Sequence, residues 1–293
     1  MDTSDLAERM KGYEKRNRYY LQRRMPVILR LDMRAGHSFT KGFERPFDEV
    51  FIKSMQETAQ YLCENIQNCK LSYQQSDEIT LLLVDYDKLN TDCFFDYRVD
   101  KLCSIAASMA TMAFNNIFSK YVKEFDLELA YNDNGIDTEE NRKLWEIYKK
   151  AINKGAMFDA RCFNIPKEEV TNLIYWRQLD ASRNSIQMVG QANFSHKELQ
   201  NKSCNDIQDM LMIQKGINWN DLPTYQKRGS CCVKEEYAVN DNGEEVEVDC
   251  VTDVDEPVDS VTFRSHWIID KEIPIFKGEG REYIDRLVFV GEE

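Results

Sequence analysis

The sequence predicts an α+β fold, because helical stretches with apolar residues three or four apart are interleaved with four short stretches of strand-forming residues. Length supports this: 293 residues, 42% hydrophobic, suffice for one large domain or two modest ones with a substantial core. Val27 to Asp32 (VILRLD) alternates, so Val27, Leu29 and Leu31 share one face and Ile28, Arg30 and Asp32 the other. From Asp48 to Ile66 the apolar residues Phe51, Met55, Ala59, Leu62 and Ile66 predict an amphipathic helix, with Asp48 capping its start. LSYQQ and EITLLLV then read as two strands joined tightly around Ser76 and Asp77, residue types that favour turns. A second helix is expected over 97–119, through Leu102, Ile105, Met109, Met112 or Ala113, and Phe114 or Ile117, with small residues allowing close packing. After a helix from Thr138 to Lys154, MFDARCFNIP alternates like a strand and stops at Pro166.

Strand, helix, strand, strand, helix, strand is the order of the ferredoxin-like unit, here interrupted by an insertion at about 120–156. Helices are expected to cover one sheet face and leave the other open. In that arrangement the end of the first strand neighbours the hairpin, so Asp32 approaches Asp77 and Glu78 of the stretch YQQSDEIT. Carboxylates from adjacent strands repel one another unless a cation lies between them. Magnesium takes oxygen ligands, commonly one or two carboxylates plus substrate phosphates, and two such ions can activate a hydroxyl and stabilise a departing phosphate. The residues thus outline a nucleotidyl-transfer palm. Arg30 lies on Asp32's strand face, Arg45 precedes PFDE, and Arg98 and Lys101 sit one helical turn apart, so together they could hold a triphosphate. The plainer alternative for the last pair is a solvated helix face. Neither GxxxxGK[ST] nor GxGxxG occurs, which argues against a P-loop or Rossmann nucleotide site.

The net charge of −13 is unevenly spread. Residues 233–260 hold eleven acids and one lysine, leaving −3 for the rest, whereas residues 9–34 hold nine Lys/Arg against two acids. A positive surface suited to a phosphate backbone is therefore expected on an acidic protein, with the acidic stretch as a loop turned away. Nine scattered cysteines without a CxxC, and three isolated histidines, predict reduced thiols and no zinc site. The longest apolar runs, such as Leu81 to Val84, fall far short of the roughly 20 residues of a spanning helix. A cytoplasmic protein without a membrane partner is expected.

The segments LAERMKGYE (6–14), RLDMRAGHSFTKGFERPFDEVF (30–51), YQQSDEITLLL (73–83), DKLCSIAASMAT (100–111), FDARCFNIP (158–166), WRQLDASRNSI (176–186) and LPTYQKRG (222–229) resemble, in order, the tRNA-His guanylyltransferase superfamily. The resemblance is to its branch of guanylyltransferase-like proteins that act as 3′-to-5′ RNA polymerases. It implies a polymerase palm with an additional helical and C-terminal region. In domain terms, the first part of the palm spans 1–135, the rest of the palm and a tRNA-binding helical region 136–230, and the acidic loop and C-terminal segment 231–293.

The resemblance also implies two magnesium ions, ATP and GTP or other nucleoside triphosphates as substrates, tRNA as partner, and a homotetramer. Carried over by motif, Asp32 and Asp77 would bind the metals together with the backbone of Met33, and Glu78 would complete a catalytic acid cluster. Nucleotide would be held by Arg30, Arg34, His37, Arg45, Asp48, Ser76, Arg98 and Lys101, and RNA by Arg177, Arg183 and Asn184. For WRQLDASRNSI the plainer alternative is a buried Trp176 anchoring a polar helix with solvated arginines.

Two departures bear on activity. The family's DGR reads Asp32-Met33-Arg34 here, and methionine would be strained by about 1 kcal/mol or more if that backbone required a positive φ. Where eukaryotic tRNA-His enzymes have HINN, this chain has Ser182-Arg183-Asn184-Ser185, which favours template-directed repair of 5′-truncated tRNA over strict tRNA-His guanylylation. A catalytically weakened tRNA-binding homologue and a palm enzyme acting on small nucleotides are the remaining alternatives.

Overall fold

The computed structural model describes residues 4–131, 135–239, 245–246 and 262–291. An exposed helix α1 (Asp5–Lys15) leads into β1 (Val27–Met33), a one-turn α2 (Gly36–Phe39) and α3 (Glu49–Asn65). The hairpin β2 (Cys69–Gln75) and β3 (Glu78–Leu83) follows, then α4 (Val99–Tyr131), α5 (Glu139–Lys154) and β4 (Phe158–Asn164). A helical region comprises α6 (Lys167–Asn193), α7 (His196–Leu199), α8 (Cys204–Lys215) and α9 (Thr224–Arg228). The chain then forms β5 (Ser230–Val239), β6 (Glu245–Val246), β7 (Thr262–Asp270) and α10 (Glu282–Val288).

The sheet order β4-β1-β3-β2 is that of the expected ferredoxin-like unit, every pair antiparallel, and β5 to β7 extend it beyond β2. Alternation places Val27, Leu29, Leu31 and Met33 on the face covered by α3 and α4. Capping is as the sequence indicates: Asp48 accepts from Phe51 N at 2.9 Å, and Thr138 from Asn141 N at 3.1 Å.

Three expectations need correction. The second helix does not end near 119 but runs on to Tyr131, and α5 packs back along it, so the insertion is a continuation of the core helix. By length and composition α4 could cross a membrane, yet Leu102, Ala106, Ala110, Phe114 and Phe118 are buried in the core beneath it. The second sheet face is not open throughout. A second core fills it, with Ile28, Leu71, Tyr73 and Leu82 packed under α6 and α10 residues such as Val170, Ile174 and Val288. Finally, the stretch 233–260 begins as strand rather than loop, since 233–239 pair with β7. Apart from 245–246 in β6, the remainder, with its expected orientation away from RNA, lies outside the described residues.

Candidate active site

At the end where the second core stops, the face of the sheet becomes polar. Asp32 is in register with Glu78 across the β1–β3 pair, and the same end of β1 is tied to the hairpin by Met33 N donating to Asp77 O at 3.1 Å. The turn is two residues, Ser76 and Asp77, with Ser76 in the left-handed region at φ 49°. Gly36 lies against this turn: a Cβ there would collide with the Asp77 carboxylate. Gly36→Ala should therefore displace Asp77 and lower turnover at this site by about 10²-fold with the melting temperature little changed, as steady-state kinetics beside thermal denaturation would show.

Burial raises the Asp32 carboxyl above its ordinary range, with the neighbouring charges of Asp77, Glu78 and Asp159 adding to the effect. Burial likewise raises Asp77. Both groups are thus pushed toward the neutral form, which a cation would reverse. Among the described residues no three His, Cys, Asp or Glu side chains converge as a full ligand set. Two carboxylates nonetheless suit magnesium, which keeps waters and takes substrate phosphates. Because the folded state raises the Asp32 pKa, its stabilising effect is complete only below the unfolded value and is lost as pH rises through the folded value. At neutral pH the ionised Asp32 therefore costs stability, and Asp32→Asn should raise the melting temperature in metal-free buffer, measured by calorimetry.

Glu78 does not point into this pair as a free acid. Its carboxylate is gripped by Arg30 and Arg177 and accepts from Gln75 Nε2 at 2.6 Å. Engaged and buried, it anchors the arginines, while its charge still acts on Asp32. Arg177 also corrects an expectation: it is 7% exposed, bonded to Glu78 and to Asp180 at 3.1 Å, so it cannot face RNA as expected. Trp176 and Arg177 have exchanged their anticipated environments, for the tryptophan is 54% exposed. Arg183 and Asn184 stay accessible, Arg183 ion-paired to Asp180.

Arg34, His37 and Arg45 are exposed along the connection from β1 to α3, and Ser76 is exposed at the turn. Asp48 is buried and saturated, accepting from Phe51 N, Glu44 N at 3.0 Å and the Tyr148 hydroxyl at 2.7 Å. It is a cap that ties α5 to the core, not a side chain free to meet a base. Tyr148→Phe should cost about 1.5–3 kcal/mol, the worth of a hydrogen bond to a charged group, in urea unfolding. Arg98 and Lys101 are separated from the acids. Phe158, the register partner of Met33, donates its N–H to Thr111 Oγ1 at 3.1 Å, and Arg98 lies thirteen residues before Thr111. That is about 20 Å along the helix axis, at the opposite end of the sheet.

Met33 shows no left-handed backbone: it continues β1 and buries its side chain in the core, and the positive φ of 56° falls on Ala35. The anticipated strain is absent. Sequence reasoning passed over Asp159 and Arg161 as site residues. They are the register partners of Asp32 and Arg30 and are exposed on the same face. Antiparallel pairing of VILRLD with FDARCFN, each ordering its charges along one face, was the signal that could have found them.

A ferredoxin-like antiparallel sheet carrying acids at the end of its first strand and at the adjacent hairpin turn defines a palm-type nucleotidyltransferase. Residues 7–166 match the family model described as tRNAHis guanylyltransferase, and the chain belongs to that family. It is similar to a bacterial tRNA(His) guanylyltransferase-like protein solved in complex with ATP (TM-score 0.73, 38% identity, covering 98% of this chain and 100% of that one). A bacterial protein of the same description in complex with GTP matches with TM-score 0.70 and 36% identity, over 98% and 100% of the two chains. The tRNA(His) guanylyltransferase of Saccharomyces cerevisiae is 24% identical over 78% of this chain and 88% of its own length.

Proposed function

We propose that this nucleotidyltransferase adds nucleotides to the 5′ end of tRNA in the 3′-to-5′ direction, as template-dependent repair of truncated 5′ ends. The observation that carries the reading is the approach of Asp32 and Asp77, brought together by the β1–β3 pair in a fold whose solved relatives were captured with ATP and GTP. When bound there, magnesium would activate the incoming nucleotide's 3′-hydroxyl and offset charge on the departing phosphate. The 3′-oxygen forms a bond to the 5′-phosphorus of the RNA, and the bond to the activating group, AMP or pyrophosphate, breaks.

The protein's own contribution is to position. Asp32 and Asp77 define where the reacting phosphate must lie, and the exposed Arg34, His37 and Arg45 line the β1–α3 connection, where a triphosphate can be held. Arg30 is oriented by Glu78 toward the same face. Ser182-Arg183-Asn184-Ser185 supports repair over strict tRNA-His guanylylation, and Ser185 is internal, accepting from Trp219 Nε1 at 3.0 Å.

The test is a gel assay with magnesium, ATP, all four nucleoside triphosphates and a tRNA lacking its first 5′ nucleotide. Templated restoration of that nucleotide is the expected result. Addition of G only to an intact tRNA-His would replace repair by guanylylation, and turnover of ATP or GTP without RNA would place the chemistry on small nucleotides.

A further inference from the structure

Helix α6 lies over the sheet with two flanks in different surroundings. One is fastened to the C-terminal segment: Thr171 bonds to Asp285, while Gln178 donates to Pro274 O at 2.8 Å and accepts from Phe276 N at 3.0 Å. The underside carries Val170, Ile174 and Arg177, the last reaching Glu78. At about 100° per residue, Trp176, Asp180 and Arg183 form a stripe on the opposite flank, away from the C-terminal segment, and Trp176 adjoins Arg177, whose partner Glu78 is in register with Asp32. Arg183, ion-paired to Asp180, and Arg161, ion-paired to Asp159 at 3.6 Å, have side chains 61% and 57% exposed, so each guanidinium has an open edge that can also meet a phosphate.

Trp176 is held ready there. The Arg177 guanidinium carbon lies 4.8 Å from its ring centroid, and Arg177 is itself locked by Glu78 and Asp180. A large aromatic ring, over half exposed yet fixed by a buried arginine, loses little rotamer freedom when a flat partner settles on it. The partner nearest in space to the acids is set by the proposed reaction: the RNA whose 5′-phosphate must reach Asp32 and Asp77. Its terminal base pair presents a flat, apolar face whatever its sequence, and stacking accepts any base.

The geometry points to Trp176 as a stacking platform for the terminal base pair at the reacting 5′ end of the RNA, with Arg183 and Arg161 toward the flanking phosphates. This assignment rests on the tRNA reading above. It gives the enzyme a means of holding ends of any sequence, which repair requires and base-specific hydrogen bonding would prevent.

The experiment uses the full chain and an acceptor-stem RNA hairpin with 2-aminopurine as its 5′-terminal base, with no nucleotide present, so that no extension occurs. Wild type and Trp176→Phe should quench the probe, whereas Trp176→Ala and Trp176→Leu should bind about 10- to 100-fold more weakly without quenching. ATP binding, by equilibrium dialysis, should be equal in all four proteins. Quenching and affinity unchanged in both Trp176→Ala and Trp176→Leu would overturn the assignment. So would a parallel loss of ATP binding, which would make the ring a mononucleotide contact, or a change of mass in sedimentation, which would make it a contact between copies of the chain. Wild-type extension of tRNA with unchanged variants sinks this inference alone. Trp176-dependent quenching without any extension sinks the repair reading alone.

Discussion

Asp77→Asn is expected to abolish the proposed 5′-nucleotide addition, lowering the rate at least about 10³-fold while leaving the chain folded and RNA affinity unchanged. The size of the effect follows from where the side chain sits. Asp77 closes a two-residue turn, backed by Gly36 so closely that the carboxylate has little freedom to relocate, and burial already disfavours its ionised form. An amide keeps the shape and removes the charge that makes the position attractive to a divalent cation. Single-turnover extension of a 5′-triphosphorylated RNA isolates this step from activation by ATP. A residual rate within about tenfold of wild type would show that Asp77 does not hold the metal, and Asp159, the exposed acid across from Asp32, would become the residue to replace.

The second large effect is on stability. Arg177→Ala leaves the buried Glu78 with Arg30 as its one cationic partner and should cost about 3–5 kcal/mol in denaturant unfolding, the usual penalty for breaking a buried ion pair from one side. Arg183→Ala is the control on the same helix. Its side chain is exposed and ion-paired to Asp180, so its loss should change stability by less than about 1 kcal/mol. The contrast separates two arginines that the sequence grouped together. If Arg177→Ala unfolded at the wild-type midpoint and lost RNA affinity instead, Arg177 would be an RNA contact after all.

What the sequence revealed and what it hid follow a physical line. The alternation in VILRLD and the turn chemistry of Ser76-Asp77 are local signals, and they suffice to place Asp32 and Asp77 at neighbouring positions. The roles of Glu78, Asp48 and Arg177 depend on partners far along the chain: Arg177 for Glu78, Tyr148 for Asp48, and Glu78 for Arg177. No periodicity reports such partnerships, because a buried arginine and a solvated one look alike in a helix pattern. Arg98 and Lys101 show the converse error. Their helical spacing was right, but the helix runs the length of the sheet, and only its direction decides which end meets the acids.

The link between Glu78 and Arg177 also sets an order of events during synthesis. The two residues are 99 apart in the chain, so at about 5–20 residues per second the hairpin emerges from the ribosome roughly 5–20 s before the helix that neutralises it. Through that interval Glu78 must keep its solvation or rely on Arg30 alone, and the second face of the sheet has no cover. The N-terminal half of the palm is therefore expected to reach its final state only after α6 has been made, which places the last step of folding late and makes the active site a product of the completed chain.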